Sequence, residues 1–356
     1  FDEPWKKCEF KEFAKVNPKC QSIPEQFYYI DLGSVEDGEL SNAKIENALS
    51  APSRAQRLLS CNDVLFQTVR PYQQNNYLFC KERSLPTVAS TGYAVFRTKY
   101  DVPFLYALIH TGHFLNSVLS RCTGTSFPAV SASDIEDILV SIPSLGEQQK
   151  IGELFRLLNS KIRKQKALIE SLKKYKRGQL SNAFRNASSW RKKRLGEICC
   201  IRTGKLDANA MVNDGKYPFF TCARERYSID TYAFDTDALL ISGNGANVGY
   251  IHHYTGKFNA YQRTYVLDQF QEDINYVHVF LNRFLSSRID AEKKAGNTPY
   301  IVLSTLSDME IYIPDETTTK QLVDLFTQIE NRISYSATVL EYLSSQRRGL
   351  LQQLFI

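Results

Sequence analysis

Arginine and amide side chains cluster in two groups of polar loops, one group in each half of the sequence. At the major-groove edge of DNA, arginine can form two hydrogen bonds with guanine, and asparagine or glutamine can form two with adenine. Lysine, serine and threonine more often contact phosphates. The candidates in the first half are Gln67, Arg70, Tyr72, Gln73, Gln74, Asn75, Asn76, Arg121, Thr123, Thr125 and Ser126. The candidates in the second half are Arg202, Thr203, Lys205, Arg224, Asn244, Asn247, Gln262, Arg263, Lys293, Asn297 and Thr298. Each residue alone is more typical of a solvated loop, so the prediction of DNA contact rests on the two groups together.

A glycine-rich segment, residues 243–249, follows a strand-like run and has the composition of a dinucleotide-binding loop. Such a loop requires a helix directly after it, because the helix N-terminus receives the phosphates. Strand-like residues follow instead, at 250–254. We therefore interpret this segment as a tight polar turn that presents backbone and amide groups to a partner.

Residues 297–300 read Asn-Thr-Pro-Tyr and differ at one position from the Asn-Pro-Pro-Tyr tetrapeptide of DNA adenine methyltransferases. No glycine-rich cofactor motif stands upstream of them in the strand–helix setting that such a site requires. The tetrapeptide occupies the same place in the second half as residues 125–128 do in the first. We favour the interpretation that it is a structural loop.

Other residue types that support catalysis or metal binding are scattered. His110 with His113, and His252 with His253, have no acidic or cysteine partners at metal-ligand spacing. The 8 cysteines form no CxxC pair, which favours free thiols in a reducing cytosol. We therefore expect no catalytic site, metal or cofactor in this chain, and a cytoplasmic location.

Charge and hydropathy place few limits on the partners of this chain. The net charge of +6 permits an anionic partner such as nucleic acid without requiring one. No apolar run approaches the ~18–20 residues needed to cross a bilayer, so we expect no membrane association.

Two heptad seams indicate the framework that positions these loops. The apolar seam residues are Ile151, Phe155, Leu158, Ile162, Ile169 and Leu172 in the first helix, and Leu322, Phe326, Ile329, Ile333, Leu340 and Leu343 in the second. Each helix would be about 35 residues, or roughly 50 Å, long. A lone helix of this length cannot bury its own seam, whereas two copies can bury each other, either parallel or antiparallel. The alternative is that each helix packs on its own globular region.

The two helices are copies of one segment, separated by a constant offset. Ile-Pro precedes both, with 314 − 143 = 171, and the final phenylalanines have the same separation, 355 − 184 = 171. The order of predicted elements also repeats before each helix, while the sequences of the two globular regions diverge. This combination predicts one scaffold that carries two different recognition domains.

The predicted fold class is α+β, with two mixed α/β domains and an internal pseudo-twofold repeat. We place the domains at residues 1–143 and 187–314, and the long helices at 144–186 and 315–356. Short strands are expected in each domain, followed by a helical segment at 103–119 in the first and at 277–294 in the second. The basic stretch at 161–177 is interpreted as a solvated helix face.

The start of the first helix carries the most specific family signal. Residues 142–151 read IPSLGEQQKI, and the helix ends near KRG at 176–178. These residues, with DVLF (63–66), VRP (69–71), STGY (90–93), YPF (217–219) and YVL (265–267), resemble the DNA-specificity (S) subunit of bacterial type I restriction-modification systems. The resemblance covers nearly the whole chain. The second helix departs from it, with TTK (318–320) where the first has EQQ (147–149).

The resemblance implies that the two domains are target recognition domains, each reading half of a bipartite site in double-stranded DNA. The helices would pack as an antiparallel coiled coil, and their length would set the gap between the half-sites. The chain would be a non-catalytic subunit that docks two methyltransferase (M) subunits, which endonuclease (R) subunits join. S-adenosylmethionine, ATP and Mg²⁺ would belong to those partners.

Two other functions remain open from the residues alone. The chain could be a DNA adenine methyltransferase, or a fragment of a single-chain restriction enzyme, that uses residues 297–300. It could also be a coiled-coil adaptor with no role on DNA. Binding of S-adenosylmethionine by the isolated chain would indicate the first, and a lack of salt-dependent DNA binding would indicate the second.

Overall fold

The chain divides into two units, and the division does not follow the order of the sequence. The computed structural model describes residues 4–19, 22–80, 83–292 and 300–355. The first unit combines Phe1–Lys166 with Thr338–Ile356, and the second unit is Ala167–Ala337. Both boundaries fall inside the long helices, so each unit contains one end of each helix. The predicted boundaries at 143, 186 and 314 instead separate helices from domains.

Strands and short helices alternate before each of the two long helices. The strands are β1 (Lys6–Glu9), β2 (Lys15–Val16), β3 (Gln26–Ile30), β4 (Val35–Glu36), β5 (Glu39–Leu40), β6 (Lys44–Asn47), β7 (Ala55–Leu58), β8 (Asp63–Gln67), β9 (Tyr77–Phe79), β10 (Thr87–Ser90), β11 (Tyr93–Arg97), β12 (Leu139–Ile142), β13 (Arg191–Arg194), β14 (Cys200–Thr203), β15 (Tyr217–Phe220), β16 (Tyr227–Ile229), β17 (Phe234–Ser242), β18 (Ile251–Ala260), β19 (Thr264–Asp268) and β20 (Glu310–Ile313). The helices are α1 (Phe10–Phe13), α2 (Val102–Leu108), α3 (Gly112–Leu119), α4 (Ala132–Glu136), α5 (Leu145–Ala183), α6 (Leu195–Ile198), α7 (Ile274–Glu292), α8 (Leu303–Ser307) and α9 (Glu316–Leu354).

The first unit is built on two four-stranded sheets. Their strand orders are β6-β3-β10-β7 and β2-β11-β8-β9. β10 runs parallel to β3, whereas β11 pairs antiparallel with both β2 and β8. β8 is buried along its whole length and β11 along nearly all of it, so both faces of these strands are covered. A separate antiparallel pair, β1 with β12, ties the start of the unit to the strand before α5.

The core of the first unit includes both long helices. Ile151 and Phe155 of α5 share a buried cluster with Leu351 of α9. The rings of Phe155 and Phe355 lie 6.0 Å apart, and Trp5 lies 5.8 Å from Phe355. The N-terminal end of α5 therefore packs beside the C-terminal end of α9.

The second unit is built on one six-stranded sheet, with the order β14-β19-β17-β18-β15-β16. The long strand β17 pairs antiparallel with β18 and β19, and β15 joins the other side of β18 in parallel. Helix α7 covers this sheet with an apolar face that includes Val277, Phe280 and Leu285. β13 pairs with β20 as β1 pairs with β12 in the first unit.

Opposite ends of the long helices complete the core of the second unit. Leu180 of α5 and Leu322 and Phe326 of α9 belong to its buried cluster. Lys176 forms an ion pair with Glu330 of α9. Here the C-terminal end of α5 packs beside the N-terminal end of α9, so the two helices run antiparallel in both units.

The burial of the heptad residues fits the predicted seam. Ile151, Phe155, Leu158, Ile169, Leu322, Phe326 and Ile329 are buried, and Ile162, Leu172, Ile333, Leu340 and Leu343 are half-buried. The helix ends also pack on the globular cores. The alternative prediction, that each helix packs on a globular region, therefore holds at the ends of α5 and α9, where seam residues also belong to the globular cores.

One helical prediction was wrong in its continuity. The pattern at 103–119 predicted a single helix, but α2 ends at Leu108 and α3 begins at Gly112. Thr111 separates them, because its hydroxyl donates to the carbonyl of Leu108 and accepts from the amide of Phe114. A threonine that caps the next helix in this way starts a new helix and does not continue the old one.

The basic stretch at 161–177 is not only a solvated helix face. Lys166 lies 2.8 Å from a carboxylate oxygen of Asp37, and Arg163 lies 3.3 Å from one of Glu39. Both carboxylates belong to the β4–β5 hairpin, whose turn residues Asp37 and Gly38 have positive φ. These ion pairs are exposed and contribute little stability, but they bring the hairpin to the helix.

The Glu-Gln segment at the start of α5 has a structural role. Gln148 is 2% exposed, and its side-chain amide donates to the carbonyl of Pro143. Glu147 accepts a hydrogen bond from the indole of Trp5. In α9, the hydroxyl of Thr318 donates to Asp315 instead.

Candidate nucleic-acid interface

The two predicted loop segments of the first unit meet in the structure. Isolated bridges join Val69 to Ala129 and Thr123 to Ala129, so the segment that follows β8 and the loop after α3 lie side by side. The amide of Arg70 donates to the carbonyl of Pro128 at 2.7 Å. The loops that carry the candidates at 67–76 and 121–126 are therefore adjacent, and their exposed residues share one surface.

A buried glutamine holds the first of these loops. The amide nitrogen of the Gln67 side chain donates to the carbonyl of Val69 and to Oε1 of Gln73, both at 2.8 Å. Its Oε1 accepts from the amide of Asn75, and its own backbone amide donates to Oδ1 of Asn76 at 2.9 Å. Gln67 therefore uses its whole side chain to fix the loop that follows β8.

Asn76 links this loop to a buried histidine. Its Nδ2 lies 3.4 Å from Nε2 of His110, whose Nδ1 lies 2.6 Å from the carbonyl of Tyr106. The carbonyl can only accept, so Nδ1 carries the proton and Nε2 accepts from Asn76. Burial, reinforced by the charge of Arg347, lowers the pKa of His110 to about 4. The histidine is therefore neutral, and its role is to hold Asn76.

Two predicted DNA contacts are corrected by their burial. Gln67 is 2% exposed and Asn76 is 0% exposed, so neither can reach a base edge or a phosphate in this conformation. Both residues position the loop and do not contact DNA directly. The remaining candidates of the first unit are exposed or half-buried: Arg70, Tyr72, Gln73, Gln74, Asn75, Arg121, Thr123, Thr125 and Ser126.

Arg70 is held by an aromatic ring that the sequence analysis did not select. Its guanidinium lies 4.3 Å from the centre of the Phe127 ring, and Phe127 is 63% exposed. Arg121 is bound differently, because its Nη1 donates to the carbonyl of Ser117. The signal for Phe127 was available, since it is a lone aromatic residue in a polar loop.

Loops of the second unit also meet at one side of its sheet. They are residues 203–206, 222–224, 243–250 and 261–263. The amide of Gly243 donates to the carbonyl of Arg263 at 2.8 Å, and that of Gln262 donates to Leu206 at 2.9 Å. A Cβ at Gly204 would lie 1.8 Å from the carbonyl oxygen of Ala260, so only glycine permits this approach.

The glycine-rich segment is a turn, as predicted. β17 continues through it into the antiparallel strand β18, and no helix follows. The amide of Gly249 donates to the carbonyl of Ser242, which closes the loop. Gly245 and Gly249 both have positive φ, which suits glycine in a tight connection.

The arginines of the second unit differ in how free they are. Arg202 forms an ion pair with the buried carboxylate of Asp268 and lies over the ring of Phe234, so its side chain is largely committed. Arg224 lies over the ring of Tyr250 at 5.4 Å and donates from Nε to Asn247 at 3.2 Å. Tyr250 is a second aromatic residue of this surface that sequence reasoning missed.

The other candidates of the second unit lie around these loops. Thr203, Lys205, Gln262 and Arg263 are exposed, and Asn244 is half-buried. A cavity of about 290 Å³ is lined by Gly243, Gln262, Arg263, Tyr265 and Ile301. Lys293, Asn297 and Thr298 lie outside the described residues, as does most of the Asn-Thr-Pro-Tyr segment.

The described residues show no metal-binding cluster of three or more His, Cys, Asp or Glu side chains. His253 lies 2.8 Å from a carboxylate oxygen of Asp237, and burial lowers the pKa of His252. The cysteines in the described part of the chain are free thiols. None of the described helices is long and apolar enough to cross a membrane.

Two units, each with one polar loop surface, and two copies of one long helix that run antiparallel define a modular recognition protein. The chain belongs to the family of type I restriction modification DNA specificity domains. The family model matches residues 3–174 and, a second time, residues 187–343. The resemblance stated from the sequence is therefore confirmed.

The type I restriction enzyme EcoDI specificity subunit of Escherichia coli is 37% identical to this chain over 166 residues. The alignment covers 46% of this chain and 37% of that subunit, so the chain matches less than two thirds of this relative's length.

Solved structures show a similar fold over the whole chain. The S subunit of a type I restriction-modification system from M. genitalium has a TM-score of 0.68 at 15% identity, covering 100% of this chain and 97% of that one. A chain from a structural study of complex assembly and conformational transition in a type I R-M system has a TM-score of 0.57 at 20% identity, covering 99% and 97%. At these identities the likeness concerns the fold.

Proposed function

We propose that this chain is the non-catalytic DNA-specificity subunit of a type I restriction-modification complex and reads a bipartite site in double-stranded DNA. One observation carries the proposal: the DNA specificity family model matches the chain twice, and each match contains one converging group of exposed polar loops. Each unit would read one half-site, because each unit has its own surface. Arginine and amide side chains would contact base edges, and hydroxyl and lysine side chains would contact phosphates.

The antiparallel helices would act as the spacer between the half-sites. Both helices have 39 residues, which corresponds to about 58 Å of helix. Polar loops that determine sequence preference lie outside them, so a change in helix length would alter the gap and leave the half-sites as they are.

Methyltransferase subunits would dock on the exposed apolar residues of the helices, and endonuclease subunits would join them. The exposed apolar residues along the middle of the helices are Leu154, Leu157, Leu168 and Tyr175 on α5, and Tyr335 and Tyr342 on α9; Leu145, at the first position of α5, is exposed as well. The residues in the middle of the helices form the docking face. Their positions follow a second heptad row, off the seam, which suits a partner helix. S-adenosylmethionine, ATP and Mg²⁺ would be bound by the partners, with two methyltransferase subunits per chain. We place this complex in the cytoplasm of a bacterial or archaeal cell, where its DNA substrate lies.

The direct test is selection from a pool of random 40-bp duplexes by the chain in complex with its methyltransferase subunits. We expect a bipartite motif with a fixed gap, and binding that weakens steeply with salt because several phosphates are contacted. Selection of no motif, or of one continuous motif, would contradict the proposal. Weak binding with no salt dependence would favour the adaptor.

Calorimetry with S-adenosylmethionine separates this function from that of an adenine methyltransferase. The chain alone should release no heat of binding, and the complex should bind the compound. Micromolar binding by the chain alone would overturn the non-catalytic assignment.

The docking face is tested by co-purification of the methyltransferase. Tyr335→Ser with Tyr342→Ser should reduce recovery of the methyltransferase and leave thermal unfolding of the chain unchanged, since both side chains are exposed. Asn331→Ser with Glu341→Ser, also exposed but off the apolar row, is the matched control. Equal recovery in both variants would place the docking face elsewhere.

A further inference from the structure

Arg70 lies in the loop surface of the first unit. An aromatic ring holds its guanidinium in place of a carboxylate. Its guanidinium packs over Phe127 at 4.3 Å. Nε is buried without a hydrogen-bond partner. Other arginines form ion pairs, such as Arg97 with Asp63 and Arg202 with Asp268. Among the described residues, Arg70 forms no such ion pair.

The backbone at Arg70 is fixed in an unusual conformation. Arg70 has φ 55° and ψ 54°, and Gln74 at the other end of the turn has φ 52°. Non-glycine residues rarely adopt this left-handed region, and it persists where surrounding contacts determine it. Those contacts are the buried side chain of Gln67 and the hydrogen bond from the Arg70 amide to Pro128.

These observations describe a preorganised guanidinium. Stacking uses the face of the group and leaves the in-plane N–H donors at its outer edge available. Such a fork matches the O6 and N7 acceptors of guanine at the major-groove edge. A phosphate contact would not require the orientation that Phe127 imposes, because a phosphate accepts from many directions. Arg121, which has no aromatic partner and bonds to Ser117, fits a phosphate contact better.

We infer that Arg70, oriented by Phe127, is a specificity-determining residue that reads one guanine in the half-site of the first unit. This inference rests on the proposed function. Phe127 acts as a positioning residue, since it contacts the reading group and not the base.

The test is selection from the random 40-bp pool by the whole complex, with wild-type chain and variants compared. Arg70→Gly removes the side chain and suits the left-handed backbone, and Arg70→Lys keeps the charge without the fork. Both variants should lose about 5- to 150-fold discrimination at one G·C pair of one half-site. The other half-site and the gap should stay the same, and Arg70→Lys should keep most of the affinity.

Arg121→Ala is the matched control. Loss of an arginine that contacts a phosphate should weaken binding to all DNA sequences about equally and lower the salt slope by about one. If the Arg70 variants behave like this control, or leave the motif unchanged, the inference is overturned. If Arg70→Gly fails to fold, Phe127→Leu should still relax the same G·C pair in part, and an unchanged motif there would also overturn it. A wild-type complex that selects no bipartite motif would overturn the proposed function, and with it this inference.

Discussion

The replacement Gln67→Leu separates the loop-positioning role of this residue from a direct role on DNA. Leucine has a similar volume, so no cavity is left and only polar contacts are lost. The side chain makes three hydrogen bonds: to the carbonyl of Val69, to Oε1 of Gln73 and from the amide of Asn75. At about 1 kcal/mol net for each, the variant should be about 2–3 kcal/mol less stable. For a unit of this size, that corresponds to roughly 4–12 °C in Tm.

Two measurements check this prediction. Thermal unfolding gives the loss of stability, and hydrogen exchange gives its location, since the amides of residues 67–76 should exchange faster. Gln73→Leu is the matched control, because Gln73 is exposed and loses one of the same hydrogen bonds, so less than about 1 kcal/mol is expected. A Gln67 variant as stable as this control, with unchanged exchange, would refute the role that we assign to Gln67.

Three further predictions concern the helices and a buried histidine. Phe155→Ala should destabilise the chain by about 3–5 kcal/mol in urea unfolding because Phe155 is 2% exposed. Its neighbour Leu154 is 41% exposed, so Leu154→Ala should destabilise the chain by less than about 1 kcal/mol. Equal effects of the two replacements would argue against the seam. His278 faces His253, Lys176 and Phe326; its burial first, and then the charges of His253 and Lys176, lower its pKa to about 4. As the pH falls, the unfolded chain therefore protonates this histidine before the folded chain does, so the stability present above pH ~6.5 should fall by up to about 3 kcal/mol as the pH drops towards 4. His278→Gln should remove the part of this loss that comes from His278. The measurement is the urea midpoint at pH 7.5 and at pH 5, and an equal fall in the wild-type and variant proteins would contradict the prediction. Removal of residues 161–167 together with 332–338 should shorten the spacer by about 10 Å, or about 3 bp, with both half-sites unchanged in methylome sequencing; an altered half-site would count against the spacer role.

The long helices could be predicted closely because their signal is local and periodic. Apolar residues at alternating steps of three and four identify a helix without knowledge of its surroundings. The structure reproduces the repeat in the helix bounds themselves, since 316 − 145 = 171 and 354 − 183 = 171.

The roles of individual loop residues could not be predicted from their types. Gln67, the last residue of β8, and Gln73, in the turn after it, are both glutamines, yet one is buried and the other is exposed. What separates them is the approach of Asn76 and His110, which lies 34 positions further along the chain. Sequence spacing carries no information about such a contact.

The aromatic partners of the arginines were missed for a different reason. The sequence analysis assigned Phe127 to a structural loop and Tyr250 to a strand-like run, and it selected neither as a candidate contact. An exposed aromatic residue in a polar loop is informative, because large apolar side chains are usually buried unless they have a partner. The structure supplies those partners as Arg70 and Arg224.

The segments of the chain that make up each unit affect the order in which the two units fold during synthesis. The second unit is continuous in sequence, from Ala167 to Ala337, and all its segments leave the ribosome together. The first unit begins earlier but requires Thr338–Ile356, whose Leu351 and Phe355 complete its core. At ~5–20 residues per second, the first unit waits about 10–40 s for this segment. The first unit therefore begins to be synthesised before the second, but we expect it to complete its native core after the second.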